Sequence, residues 1–151
     1  MENVTSTISQ DDTGECFLAN ADVNVKVCPI LDSEVGMIFA LGGKVASGVN
    51  GSVKGHVIRL EEEDRRLEIS FKLKNSNGTN LRFHPEEPIW ITDDEDCPEA
   101  SSWVQGWEIT KLNDTELRIV NPGEEGVYTY TLRFLRGTAV VICDPIIKNI
   151  A

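Results

Sequence analysis

The chain has 151 residues, of which 25 are acidic and 14 basic, giving a net charge of -11; 40% are hydrophobic. That apolar fraction excludes global disorder, and the length suits one domain over residues 1–151 that needs neither metal nor disulfide to fold. Basic residues are not gathered on one face: Lys72 and Lys74 share a strand face, and Arg65-Arg66 follows four acids. Nucleic acid and anionic membrane surfaces, which require clustered Lys and Arg, are therefore not expected partners.

The opening Met1-Glu2-Asn3-Val4-Thr5 has neither a basic n-region nor an apolar h-region, and the apolar runs Gly36–Gly43 and Thr138–Cys143 are too short to span a bilayer. The expected location is the cytoplasm. Cys16, Cys28, Cys97 and Cys143 are widely and irregularly spaced, so free thiols are expected rather than a zinc site.

In chain order, the dominant hydrophobic period is two. Val23, Val25 and Val27 alternate with polar residues, which predicts a strand with one dry face. The segment Asp32–Leu41, with Ser33 as a cap and Gly42-Gly43 as a stop, is the one candidate for a short helix. The Gly-rich stretch from Gly42 to Ser52 lacks the spacing of a phosphate loop, and Asn50-Gly51 reads as a hairpin turn. Glu61–Arg66 reads as a charged hairpin tip between Ile58/Leu60 and Leu67. Leu67, Ile69, Phe71 and Leu73 form a second alternating strand, and Asn77-Gly78 a second turn. Further strands are expected at Trp107–Leu112, Glu116–Val120, Tyr128–Phe134 and Ala139–Cys143, giving about eight to ten short strands. The fold class expected is all-β, an antiparallel β-sandwich.

Two resemblances follow from local motifs. Glu124-Glu125-Gly126-Val127-Tyr128-Thr129-Tyr130 resembles the acid-x-Gly-x-Tyr-x-Cys corner of immunoglobulin-like domains, with Tyr130 where the cysteine would stand. It implies that the Tyr128 hydroxyl bonds back to upstream backbone, and that Glu116–Val120, Tyr128–Phe134 and Ala139–Cys143 are the strands E, F and G. Separately, Glu87-Pro88 and Asp144-Pro145, with their flanks, resemble the two dipeptides that mark the bacterial DP-EP family, chiefly over residues 80–150. That resemblance implies a compact β domain and carries over no catalytic residue.

Candidate chemistry is sparse. The histidines are His56 and His84, and no Gly-x-Ser-x-Gly elbow is present. His84 with Cys97 or Cys143 would form a thiol dyad only if the fold brought them together. No cofactor or metal is expected. The most informative cluster is aromatic: Trp90, Trp103 and Trp107 flank the acidic run Asp93-Asp94-Glu95-Asp96. The candidate ligand-binding residues are Trp90, Trp103, Trp107, Asp93, Asp94 and Asp96, since flat indole faces beside acids suit sugar rings. By parity Trp103 and Trp107 share a strand face unless Gly106 interrupts it. The reading of function is a non-catalytic binding or interaction module, with a protein partner or self-association as its expected contacts. The alternative is a carbohydrate- or Ca-assisted ligand-binding sandwich using residues 90–107. A cysteine-dependent enzyme with His84 is the third.

Overall fold

A computed structural model describes residues 21–34, 36–61, 65–93, 98, 100–143 and 146–149. Twelve strands and no helix occur among these residues. The first sheet contains β1 (Val23–Asp32), β2 (Gly36–Val45), β5 (Leu67–Leu73), β8 (Glu108–Leu112) and β9 (Glu116–Asn121), ordered β2-β1-β5-β9-β8. The second contains β3 (Gly51–Lys54), β4 (Val57–Leu60), β6 (Arg82–Phe83), β7 (Ile89–Thr92), β10 (Gly126–Arg136), β11 (Ala139–Cys143) and β12 (Ile146–Asn149). Pairing is mostly antiparallel, but β1 runs parallel to β5 and β12 parallel to β4.

The alternation read from the sequence produces this arrangement. Val23, Val25, Val27, Ile69 and Phe71 from the first sheet are at most 1% exposed, as are Tyr130, Leu132 and Phe134 from β10 of the second. They belong to one core. Aromatic pairs cross between the sheets: Phe71 and Tyr130 have centroids 5.5 Å apart, as do Phe39 and Phe134. Such tilted or offset ring contacts add to the stabilisation from buried area.

Three local expectations are corrected. Asp32–Leu41 is not helical: β1 and β2 form a hairpin, with the Asp32 carboxylate accepting the Glu34 N–H at 2.8 Å and Gly36 at φ 91°. Met37, Phe39 and Leu41 pack on the core at period two, so pairing with β1 overrides the cap and stop signals. β4 and β5 do not pair as the hairpin expected around residues 61–66, because they belong to different sheets; residues 62–64 lie outside the described residues. The two-residue turn between β3 and β4 is Gly55-His56, while Gly51 lies inside β3.

The strand β10 organises the second sheet. On one edge it pairs with β11 from Leu132 to Arg136 and with β12 from Gly126 to Thr129. The same register continues from one partner to the other, so β11 and β12 are collinear. On the other edge, Phe134 pairs with Phe83 and Leu132 with Ile89. Residues 84–88 therefore bulge out opposite Arg133 alone. Arg133 closes the bulge through its backbone: His84 N–H donates to its carbonyl at 2.9 Å, and its own N–H donates to the Pro88 carbonyl at 2.8 Å.

Candidate functional site

The free edge of β7 is covered by the segment that follows the acidic run, with Ile91 N–H donating to the Ser102 carbonyl at 3.0 Å. Two constellations form along this seam. The first is the bulge itself. The His84 Nδ1 accepts the N–H groups of Glu86 at 3.1 Å and Glu87 at 3.0 Å. The Glu87 carboxylate accepts from Trp90 Nε1 at 2.6 Å and from Ser101 Oγ at 2.9 Å. Those bonds, the indole first, hold the Glu87 carboxyl below the usual carboxylate range. Arg133 donates to the Glu87 carbonyl at 2.8 Å and stacks its guanidinium 4.2 Å from the Trp90 ring centroid. Trp90 is thus engaged on its nitrogen and on a ring face.

The second constellation is an open depression of about 700 Å³. Its lining comes from the end of β7 (Ile91, Thr92) and the next residue Asp93, from residues Ser102, Trp103, Val104, Gln105 and Gly106, and from Glu124. Trp103 is 43% exposed. Its ring is pinned by its own nitrogen, which donates to the Trp107 carbonyl at 3.2 Å. Gly106 at φ 98° makes the turn that allows this contact, a conformation costly for any residue with a Cβ. The same turn breaks the parity expected of the two tryptophans. Trp103 faces out, whereas Trp107 is 3% exposed and packs on Tyr128 at 5.0 Å between centroids.

Tyr128 connects the depression to the fold. Its hydroxyl donates to the Glu124 carbonyl at 3.0 Å, four residues upstream. Burial pushes its phenol up, and the charges of Glu124 and Asp93 add to that rise. Both carboxylates therefore act on the same hydroxyl. Among the described residues that line the depression there is no His, Cys, Lys or Arg.

Of the residues singled out from the sequence, the structure brings Trp103 and Asp93 together. Trp90 sits beside them in the bulge constellation, and Trp107 lies in the core. Asp94 and Asp96 lie outside the described residues, as do Cys97 and the Asp144-Pro145 dipeptide. His84 and Cys143 do not meet: they flank opposite edges of β10, about two strand spacings or ~10 Å apart. Among the described residues no three His, Cys, Asp or Glu side chains are grouped to hold a metal ion. No described helix is long and apolar enough to cross a membrane.

Gln105, Thr92 and Ser102 fall within the 90–107 segment but were not named as candidate ligand residues, and neither was Glu124. Glu124 sits in the Gly-x-Tyr corner, where it reads as a mark of fold rather than of a site. No family model matches the chain, and no curated protein compared with it matches.

Proposed function

We propose that this chain is a non-catalytic cytoplasmic binding module built on an immunoglobulin-like sandwich, and that the depression at Trp103 is its ligand site. The observation that carries the reading is the indole of Trp103: it is half-exposed yet fixed in orientation by its own N–H. A rigid flat apolar face loses little entropy on binding. Around it stand carboxylates (Asp93, Glu124), hydroxyls (Thr92, Ser102) and an amide (Gln105). An apolar platform rimmed by hydrogen-bonding groups matches a pyranose ring, which has a C–H face and a hydroxyl rim.

The immunoglobulin-like reading is supported by the distribution of strands. β5, β9 and β8 are neighbours in one sheet, while β7, β10 and β11 are neighbours in the other, as B-E-D and C-F-G would be. The hydroxyl bond from Tyr128 to the Glu124 carbonyl supports the same reading. The resemblance to the DP-EP family belongs to this proposal as well, with Glu87-Pro88 shaping the bulge opposite Arg133. The non-catalytic part is supported by the bulge, where the Glu87 carboxylate is already engaged by Trp90 Nε1 and Ser101 Oγ.

The test is tryptophan emission during titration with a panel of mono- and oligosaccharides, with and without Ca²⁺. The expected result is a saturable change that Trp103→Ala abolishes. Silence across the panel, or a response that survives Trp103→Ala, overturns the reading.

A further inference from the structure

Sheet edges in folded proteins are blunted by charge, proline, bulges or a covering segment, because an open edge templates further pairing. Most edges here follow that rule. β8 carries Glu108 and Lys111 and a register shift between Ile109 and Lys111. The edge of β7 is covered at Ser102. β3 has four residues and ends in Lys54, and His56 Nε2 lies 3.3 Å from the Phe39 carbonyl on β2.

β11 does not follow it. Ala139–Cys143 contains no charge and no proline, pairs with β10 alone among the described strands, and holds an unbroken register. The direction of its free backbone groups follows from β10. Arg133 turns both its N–H and its carbonyl towards the 84–88 bulge. Its partner Ile142 therefore forms a non-hydrogen-bonded pair with it, and alternation gives Val140 the same status. Val140 and Ile142 aim their N–H and C=O groups away from β10, at an edge with which no described strand pairs. Their side chains, 48% and 51% exposed, are the most exposed large apolar ones among the described residues.

We propose that β11 is a homodimer interface, pairing antiparallel with β11 of a second copy about a two-fold axis at Val141. In this register Val140 lies opposite Ile142 of the other copy, and both are hydrogen-bonded pairs. All four of these backbone groups, which pair with no described strand, are then satisfied in each copy, and the two exposed apolar side chains cover one another. The strand is self-complementary, as a two-fold interface requires. Electrostatics agree. The chain carries a net charge of -11, yet this strand has none. The charged residues on the neighbouring strand are Arg133, which pairs with Ile142, and Arg136, which pairs with Ala139. In the dimer the two β10 strands that carry these arginines are three strand spacings apart, about 14 Å, beyond a Debye length of ~8 Å at physiological salt.

The test is sedimentation equilibrium of the full chain under reducing conditions, so that no disulfide contributes. The expected result is a reversible dimer. Val140→Lys alone and Ile142→Glu alone should each raise the dissociation constant at least about tenfold. Combined, they place opposite charges across both pairs and should restore the dimer. Circular dichroism melts confirm that each variant is folded. A wild-type chain that stays monomeric at high concentration overturns the proposal. So does a dimer indifferent to the single changes, which would lie elsewhere, or a double variant no better than the singles, which would contradict the register. The saccharide titration does not depend on this result, since Trp103 lies in the segment that covers the edge of β7, away from β11.

Discussion

The outer face of the first sheet carries a charge network whose contribution can be worked from its geometry. Glu116, 9% exposed, accepts from Arg118 Nε at 2.6 Å, Lys111 Nζ at 2.9 Å and Ser70 Oγ at 2.8 Å. Burial alone would raise its carboxyl. The bonds from Arg118, Lys111 and Ser70 outweigh burial and bring it from 4.5 to about 2. One pH unit of depression corresponds to about 1.4 kcal/mol, so the charged form contributes up to about 3 kcal/mol at neutral pH. Glu116→Gln keeps the shape and removes the charge, leaving Arg118 and Lys111 without it. The expected cost at pH 7 is about 2–3 kcal/mol, or a Tm lower by about 10 °C. Because the folded value is the depressed one, the contribution is present above pH 4.5 and is lost as pH falls through about 2. Urea unfolding of both proteins at stepped pH checks this. The stability gap should be constant from pH 7 to 5, narrow below 4.5 and close near 2. A gap that persists unchanged to pH 2, or one below about 0.5 kcal/mol at pH 7, refutes the reasoning.

Other expectations follow from single residues. Tyr130 is fully buried with no hydrogen-bond partner for its hydroxyl among the described residues. Tyr130→Phe should therefore be neutral or stabilising by about 1 kcal/mol in urea unfolding, whereas Tyr128→Phe should cost about 1 kcal/mol through the lost bond to Glu124. Gly123 stands at φ 89° with an added Cβ falling 2.4 Å from the Arg65 carbonyl oxygen, so Gly123→Ala should destabilise by about 2 kcal/mol or more in the same assay. Trp107→Ala should cost about 3–5 kcal/mol as a core cavity, while Trp103→Ala should change the melting temperature little.

Much of the fold is legible in the sequence, because alternation at period two fixes which face of a strand is dry. Val23 to Val27, Leu67 to Leu73 and Tyr128 to Phe134 point inward as that pattern requires. The Gly-x-Tyr corner also carried a specific contact, the bond from Tyr128 to Glu124. What the pattern does not carry is the identity of a strand's neighbour. The chain leaves one sheet for the other between Leu60 and Leu67, and local charge there reads the same for a hairpin or a crossing. Asp32–Leu41 has helix-terminal signals, but ten cross-strand pairs with β1 decide its conformation. The candidate site is half legible. Acids and tryptophans within a short span point to the region. A single positive-φ glycine, Gly106, then decides that Trp103 faces out and Trp107 in, and a residue count cannot show that.

Trp103 alone among the three tryptophans is expected to meet ligand. The most direct test is the indole N–H region of a ¹⁵N–¹H correlation spectrum during saccharide titration. Trp103 donates to the Trp107 carbonyl and Trp90 to Glu87, while the Trp107 nitrogen is buried without a partner among the described residues, so the three signals report different environments. The Trp103 indole signal and the amides of residues 91–93 and 102–106 should shift together and saturate. A saturable shift centred on Trp90 or Trp107, or no shift at any indole across the panel, contradicts that expectation.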